Sequence, residues 1–245
     1  MENQRKYGLI GKKLSHSFSQ KYFTEKFNNQ SVNSIYFNYE LNNISEVRNL
    51  LRDPEIEGLN VTIPYKVSII PFLDELDGLA EEIGAVNTIK IKDGKAKGYN
   101  TDVYGFSQMI KPFFESQHER AMILGTGGAS KAVAYALEKL GVDVIYISRE
   151  PQGEFEFGYD EINENMVKFH GIIVNTTPIG TFPNIDECPN FPFEFLTPKH
   201  LVVDLIYNPS ETLFLKRSKE NGAVVINGKT MLEQQAEEAW RIWNE

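Results

Sequence analysis

The sequence predicts an α/β protein of two domains. Three observations carry this. Strand and helix signals alternate through the first hundred residues, and a strand–glycine loop–helix unit begins near residue 121. A chain of 245 residues is also long enough for two ordinary domains. Strand–helix–strand alternation is the pattern of a mostly parallel sheet, whose strands are joined by crossover helices.

In order, KYGLIG (6–11) reads as a strand. FSQKYFTEKF (18–27) carries Phe18, Tyr22, Phe23 and Phe27 at helical spacing. SIYFNYEL (34–41) is strand-like, ISEVRNLLRD (44–53) helical, and GLNVTI (58–63) a strand. Two strands flank Asp93-Gly94, a hairpin turn signal, within 85–100. A helix is expected over 101–114. AMIL (121–124) is a short buried strand, followed by GTGGAS and a helix that ends at a glycine, then by the strand VDVIYIS (142–148). TMLEQQAEEAWRIW (230–243) is a strong helix former. The expected division is 1–104, 105–228, and a C-terminal helix over 229–245 that packs back on the first domain.

The composition, 41% hydrophobic and 24% charged, is ordinary for a globular protein. A net charge of −9 with scattered Lys and Arg argues against nucleic-acid or membrane partners. Any anionic substrate must be attracted locally. The single cysteine, Cys188, allows neither an intramolecular disulfide nor a cysteine metal cluster. His16, His118, His170 and His200 lack metal-ligand spacing and read as surface or cap residues, so no metal is expected. With no signal-like start and no long apolar run, the expected setting is the cytoplasm.

LGTGGASKA (124–132) sits between a strand and a helix. Glycines there let the backbone turn tightly and approach a pyrophosphate at the helix N-terminus. Gly125 and Gly127 fit G-x-G-x-x-G, and Ser130 stands where the third glycine would be. A tight strand–helix turn is the plainer alternative. The next strand ends in Ser148-Arg149, and an arginine there suits the 2′-phosphate of NADP, although Glu150 follows.

NVTIPYK (60–66) puts a lysine at the edge of apolar sequence. If Pro64 opens a helix, Lys66 lies in its first turn, where the dipole favours the neutral amine. Such a lysine can exchange a proton; a surface lysine is the alternative. Asp102, in NTD (100–102), is either a helix N-cap or an acidic partner for Lys66. Ser17 and Ser19, in SHSFS (15–19), share one face of an extended segment and suit a carboxylate ligand, with helix capping as the other reading.

Taken together, SHSFS, NVTIPYK, GAVNT (84–88), NTD, GTGGAS, NTTPIG (175–180), DLIYNP (204–209) and GKTMLEQQA (228–236) resemble, in this order and over nearly the whole chain, the shikimate dehydrogenases. The resemblance implies a substrate-binding domain followed by a Rossmann-like NADP domain, with a cleft between them. It implies NADPH-dependent, reversible reduction of 3-dehydroshikimate to shikimate in aromatic amino-acid biosynthesis, by a monomer or homodimer. Lys66 would be the acid/base, with Asp102 beside it. Ser17 and Ser19 would bind the carboxylate, and Thr62, Asn87, Asp102, Tyr207 and Gln235 the rest of the substrate. Gly125, Thr126, Gly127, Gly128 and Ala129 would hold the cofactor phosphates, Ser148 and Arg149 its ribose end, and Leu205 and Gly228 would lie near the nicotinamide. The family usually has an N-R-T/S segment and a second arginine on a helix; here the text is SREPQGEFEFGYDEI. GKTMLEQQ also departs from the commoner glycine-leucine-x-methionine wording. A relative that oxidises quinate with NAD, and a noncatalytic module that senses a metabolite or dinucleotide, stand as alternatives.

Overall fold

The computed structural model describes residues 4–14 and 17–245, and the chain divides into two compact units. The first holds Met1–Thr101 and Ala236–Glu245. Its elements are β1 (Arg5–Gly11), α1 (Phe18–Asn29), β2 (Ser34–Glu40), α2 (Val47–Leu51), β3 (Ile56–Val61), β4 (Glu75–Leu76), α3 (Gly78–Ile83), β5 (Thr88–Lys92) and β6 (Lys95–Tyr99).

The sheet order is β2-β1-β3-β5-β6-β4. β1 pairs in parallel with β2 and β3, placing Tyr7 opposite both Tyr36 and Gly58. β5 and β6 form an antiparallel hairpin. Asp93 and Gly94 take φ of 53° and 74°, the left-handed pair that a two-residue hairpin turn requires. The sheet is therefore mixed: parallel from β2 through β3, antiparallel across β3, β5 and β6, and parallel again at the short β4 edge.

α1 buries Phe23 and Phe27 against this sheet. Phe23 stacks on Tyr36 at 4.7 Å and Tyr7 on Trp243 at 4.8 Å. Each fully buried aromatic contributes about 2–3 kcal/mol through its apolar area. The Trp243 indole N–H donates to the Ile89 carbonyl at 2.9 Å, and glycine at position 58 leaves room for its ring.

The second unit is Asp102–Gln235. It runs α4 (Asp102–Ile110), β7 (Arg120–Leu124), α5 (Gly128–Glu138), β8 (Asp143–Ser148), β9 (Glu156–Gly158), α6 (Glu164–Phe169), β10 (Ile172–Asn175), β11 (Leu201–Asp204), α7 (Leu213–Glu220), β12 (Val224–Asn227) and α8 (Lys229–Asn244). The last helix contributes 229–235 to this unit and its remainder to the first. α4 stops where Pro112 cannot continue the ladder, passing into a 3-10 turn.

This sheet is parallel throughout, in the order β12-β11-β10-β7-β8-β9. That is the doubly wound dinucleotide-binding order, and it reverses between β7 and β10. β8 and β9 are joined by residues 149–155, none of them helical. No helix among the described residues is long and apolar enough to cross a membrane.

Candidate active site

In the first unit, the predicted substrate residues gather where β1 and β3 end. Thr62 N–H donates to the Ile10 carbonyl at 2.8 Å, carrying the pairing one step beyond β3. Residues 63–69 then form turns, not the helix expected after Pro64. Tyr65 N–H closes back on the Thr62 carbonyl at 2.9 Å, Ile69 N–H closes a single i→i−4 turn on the Tyr65 carbonyl at 3.0 Å, and a 3-10 turn follows at Ile70–Phe72. Lys66 therefore sits inside one isolated turn rather than in the first turn of a regular helix. Lys66 is half-buried, and its carbonyl accepts from Val86 N–H at 2.7 Å. That bond ties the NVTIPYK turn to the GAVNT segment. Asn87 N–H in turn donates to Tyr99, and Val61 N–H to the Asn87 carbonyl.

A buried polar row links these motifs. Asn60 Nδ2 faces the backbone carbonyl of Asn87 at 3.4 Å, and a carbonyl can only accept, so the amide orientation is fixed. Nδ2 also reaches Thr88 Oγ1 at 3.2 Å. Asn60 Oδ1 then takes the Tyr36 hydroxyl proton at 2.8 Å, and Tyr36 is hydrogen-bonded to Ser19. Asn87 is fixed in the same way. Its Oδ1 accepts from Thr101 N–H at 2.7 Å and its Nδ2 donates to Thr101 Oγ1 at 3.0 Å. Ser19, Tyr36, Asn60, Asn87, Thr88 and Thr101 are all buried, so an unmade bond anywhere in the row is costly. Tyr36 read only as part of a strand in the sequence. Its partner Asn60 lies inside NVTIPYK but carried no separate signal.

The two serines differ, and they do not share a face of an extended strand. Ser17 is the N-cap residue of α1, Ser19 lies in the first turn, and Ser15 and His16 fall outside the described residues. Ser17 makes no side-chain cap bond, and its buried hydroxyl has no hydrogen-bond partner among the described residues. Helix capping thus fails to explain Ser17, while an anionic ligand oxygen would satisfy it. We expect Ser17→Ala to weaken substrate binding by about 1–3 kcal/mol with little loss of maximal rate. The Michaelis constants for substrate and cofactor, measured separately, check this.

Asp102 is the first residue of α4 rather than its N-cap, and it is buried. A carboxylate in a first helical turn is favoured by the dipole. On the same unit, Gly105 allows α8 to approach. A Cβ there would lie 2.6 Å from the Met231 carbonyl oxygen and 3.1 Å from Gln235 Cβ. Gln235 is buried and donates to the Leu232 carbonyl at 3.0 Å. Tyr207 is half-buried beyond β11.

The glycine loop lies at the switch point of the second sheet. Gly125 has φ of 104°, where side chains are strained, and a Cβ would come within 2.9 Å of Thr176 Oγ1. Gly127 differs: its φ of −77° suits any residue, and a Cβ there would meet nothing within 4 Å. Neither backbone nor packing demands glycine at 127, so the loop leaves an open cradle at the α5 N-terminus. Such a cradle fits a pyrophosphate. Thr126 is exposed, while Gly128 and Ala129 open α5. Ser130, in place of the third glycine, is fully buried and donates to the Gly127 carbonyl at 2.6 Å.

Below the loop, Asp204 accepts from Asn175 Nδ2, Ile206 N–H and Thr212 Oγ1 at 3.1, 3.0 and 2.6 Å. Burial pushes its carboxyl up to about 6, against the pull of those three donors. This cluster locks NTTPIG to DLIYNP. Leu205 N–H continues the ladder to the Asn175 carbonyl, and Gly228 N–H donates to Ile206. A Cβ on Gly228 would fall within 2.5 Å of the Leu205 carbonyl carbon and closer still to its oxygen. The fold therefore brings Leu205 and Gly228 together.

Ser148 ends β8, and Arg149 follows it, exposed. His118 and His200 are not surface residues. Both are buried, and each fastens a turn by accepting at Nδ1, from Glu115 and Thr197 N–H respectively. A cavity of about 780 Å³ lies at the opposite ends of β1 and β3, lined by Arg5, Arg52, Lys90 and Trp243 among others. It holds none of the predicted site residues.

Residues 9–89 match the family model described as the shikimate dehydrogenase substrate binding domain. A shikimate dehydrogenase (NADP(+)) from Methanosphaera stadtmanae is 39% identical over 255 aligned residues, covering 96% of this chain and 90% of the relative. One from Clostridium beijerinckii is 40% identical, covering 98% and 92%. Among solved structures, the Thermus thermophilus shikimate 5-dehydrogenase in complex with NADP(H) and shikimate superposes with a TM-score of 0.86. It is 28% identical and covers 98% of this chain and 93% of that one. These likenesses cover 96–98% of the chain, so both units take part in them. On this evidence the chain belongs to the shikimate dehydrogenase family.

Proposed function

We propose that this chain catalyses the NADP-dependent, reversible interconversion of 3-dehydroshikimate and shikimate, the activity named for its relatives. The reading is carried by one observation: NADP-dependent shikimate dehydrogenases match it over 96–98% of its length at up to 40% identity. It belongs with aromatic amino-acid biosynthesis, and we place it in the cytoplasm, where NADPH is supplied.

In this reading residues 1–104 hold the substrate and 105–228 the cofactor, with the 229–245 helix returning to the substrate domain. The glycine cradle, Gly125, Thr126, Gly127, Gly128 and Ala129, holds the pyrophosphate on the α5 N-terminus. Ser148 and Arg149 meet the adenosine ribose, and Leu205 and Gly228 flank the nicotinamide. When bound, NADPH supplies the hydride that reduces the ring ketone.

The chain's own groups do the rest. Ser17 donates its unspent hydroxyl proton to the substrate carboxylate. Ser19 meets the same carboxylate from the end of the Tyr36–Asn60 row. Asn87, whose Oδ1 is occupied by Thr101, faces a ring hydroxyl through its amide nitrogen. Thr62, Tyr207 and Gln235 complete the enclosure of the ring. As hydride arrives at the carbonyl carbon, negative charge grows on the oxygen and needs a cation or proton there. The Lys66 ammonium gives that proton and takes it back in the reverse direction, while Asp102 holds the adjoining ring hydroxyl and orients the amine. The row fixes donors and acceptors before substrate arrives, so little reorganisation is left for the reacting state.

The test is shikimate oxidation by the purified chain with NADP, followed through the absorbance of reduced nicotinamide, with quinate run in parallel. Turnover of shikimate well above that of quinate supports the reading. Turnover of neither overturns it.

A further inference from the structure

We propose that this chain also uses NAD, and that Glu150 is the residue that admits it. The inference rests on the dehydrogenase reading above and deepens it. In a doubly wound sheet, the group after the second strand of the unit meets the adenosine ribose. An acidic side chain there takes a 2′-hydroxyl proton, and an arginine takes a 2′-phosphate. This chain places one of each in succession, Arg149 and then Glu150, both exposed. The Ser148 hydroxyl accepts from Glu150 N–H at 3.2 Å, folding both residues into a turn at the end of β8.

The neighbouring strand settles the charge balance. Ser148 is level with Gly158 in the parallel register, so the turns that follow β8 and β9 share one edge of the sheet. The second turn is Tyr159-Asp160-Glu161. A Cβ on Gly158 would touch the Asp160 carboxylate, and Gly158 N–H donates to Glu161 Oε2. Burial raises the Tyr159 hydroxyl above its ordinary range and the charge of Arg149 pulls against that rise, so the two turns are electrostatically in reach. This edge thus sets one guanidinium against the carboxylates of Glu150, Asp160 and Glu161. The connection itself, 149–155, is too short for the crossover helix usual between parallel strands and adds another acid, Glu154. No helix N-terminus on that connection offers its N–H groups to an anion.

A 2′-phosphate carries a charge of about −1.5 to −2 at neutral pH. Arg149 attracts it, while the three carboxylates repel it. A 2′-hydroxyl meets no such repulsion and donates to Glu150. The pyrophosphate cradle at Gly125–Ala129 serves both cofactors alike. With NAD the chemistry balances as before: the alcohol carbon gives up hydride, its hydroxyl proton leaves through Lys66, and the alcohol becomes the ketone as NAD+ becomes NADH.

Dissociation constants for NADP and NAD, from quenching of tryptophan fluorescence, and kcat/KM for shikimate oxidation with each should be measured for the wild type, Arg149→Ala and Glu150→Gln. The two wild-type dissociation constants are expected to lie within about thirtyfold of each other. Arg149→Ala should weaken NADP roughly tenfold and leave NAD within about twofold, and Glu150→Gln should shift the ratio roughly tenfold toward NADP. Both positions are exposed, so unchanged thermal midpoints are expected. A wild-type preference for NADP beyond that range, or an unmoved ratio in Glu150→Gln, overturns the inference. If neither cofactor supports turnover of shikimate, the dehydrogenase reading fails instead, and the binding ratios still decide the role of Glu150.

Discussion

Lys66→Ala is expected to lower kcat for shikimate oxidation by roughly two to four orders of magnitude, the span lost when general acid–base help is removed. The Michaelis constant for shikimate should change far less. Binding in this reading is carried by other side chains, Ser17, Ser19, Thr62 and Asn87 among them. The fold should survive, because the Lys66 backbone carbonyl is bonded to Val86 N–H and alanine keeps that bond. Circular dichroism and the thermal midpoint check this. A variant that folds and turns over near the wild-type rate would remove Lys66 from the chemistry.

The second large effect concerns two glycines. Gly228→Ala would drive a methyl into the Leu205 carbonyl, a collision with backbone that no side-chain rotation relieves. We expect a loss of about 3 kcal/mol, lowering the thermal midpoint by roughly 10 °C, with cofactor affinity lost alongside. Gly127→Ala supplies the contrast. Its backbone accepts alanine and no protein atom lies within 4 Å of the new methyl, so the midpoint should hold while NADP binding weakens. Scanning calorimetry and cofactor titration on both variants separate a glycine kept for packing from one kept for a ligand. Equal midpoints for the two variants would contradict the Leu205–Gly228 contact.

Much of this fold was legible because each signal is local. The Phe23 and Phe27 stripe forms α1, Asp93-Gly94 turns the hairpin, and a glycine loop between strand and helix marks the second sheet's switch point. What escaped depends on pairing across the chain. Tyr36 and Asn60 meet because β2 and β3 flank β1, a register that neither segment encodes alone. The same holds for the Asp204 cluster, whose partners Asn175 and Thr212 come from separate segments. Pro64 misled for another reason. Proline suits a helix start, but the Thr62–Tyr65 hydrogen bond closes a turn first. Ser17 occupies the N-cap position without making the cap bond, which only coordinates could reveal. The mixed charge after β8 was visible in sequence. Its meaning came from the register that sets Ser148 beside Gly158.

A crystal structure of this chain with shikimate and NADP tests the assignment most directly. The Lys66 Nζ is expected within about 2.6–3.2 Å of the hydroxyl that is oxidised, with the Asp102 carboxylate on the adjoining hydroxyl and Ser17 Oγ on the substrate carboxylate. A bound shikimate whose reacting hydroxyl lies beyond reach of Lys66, or whose carboxylate is held away from Ser17, would contradict it.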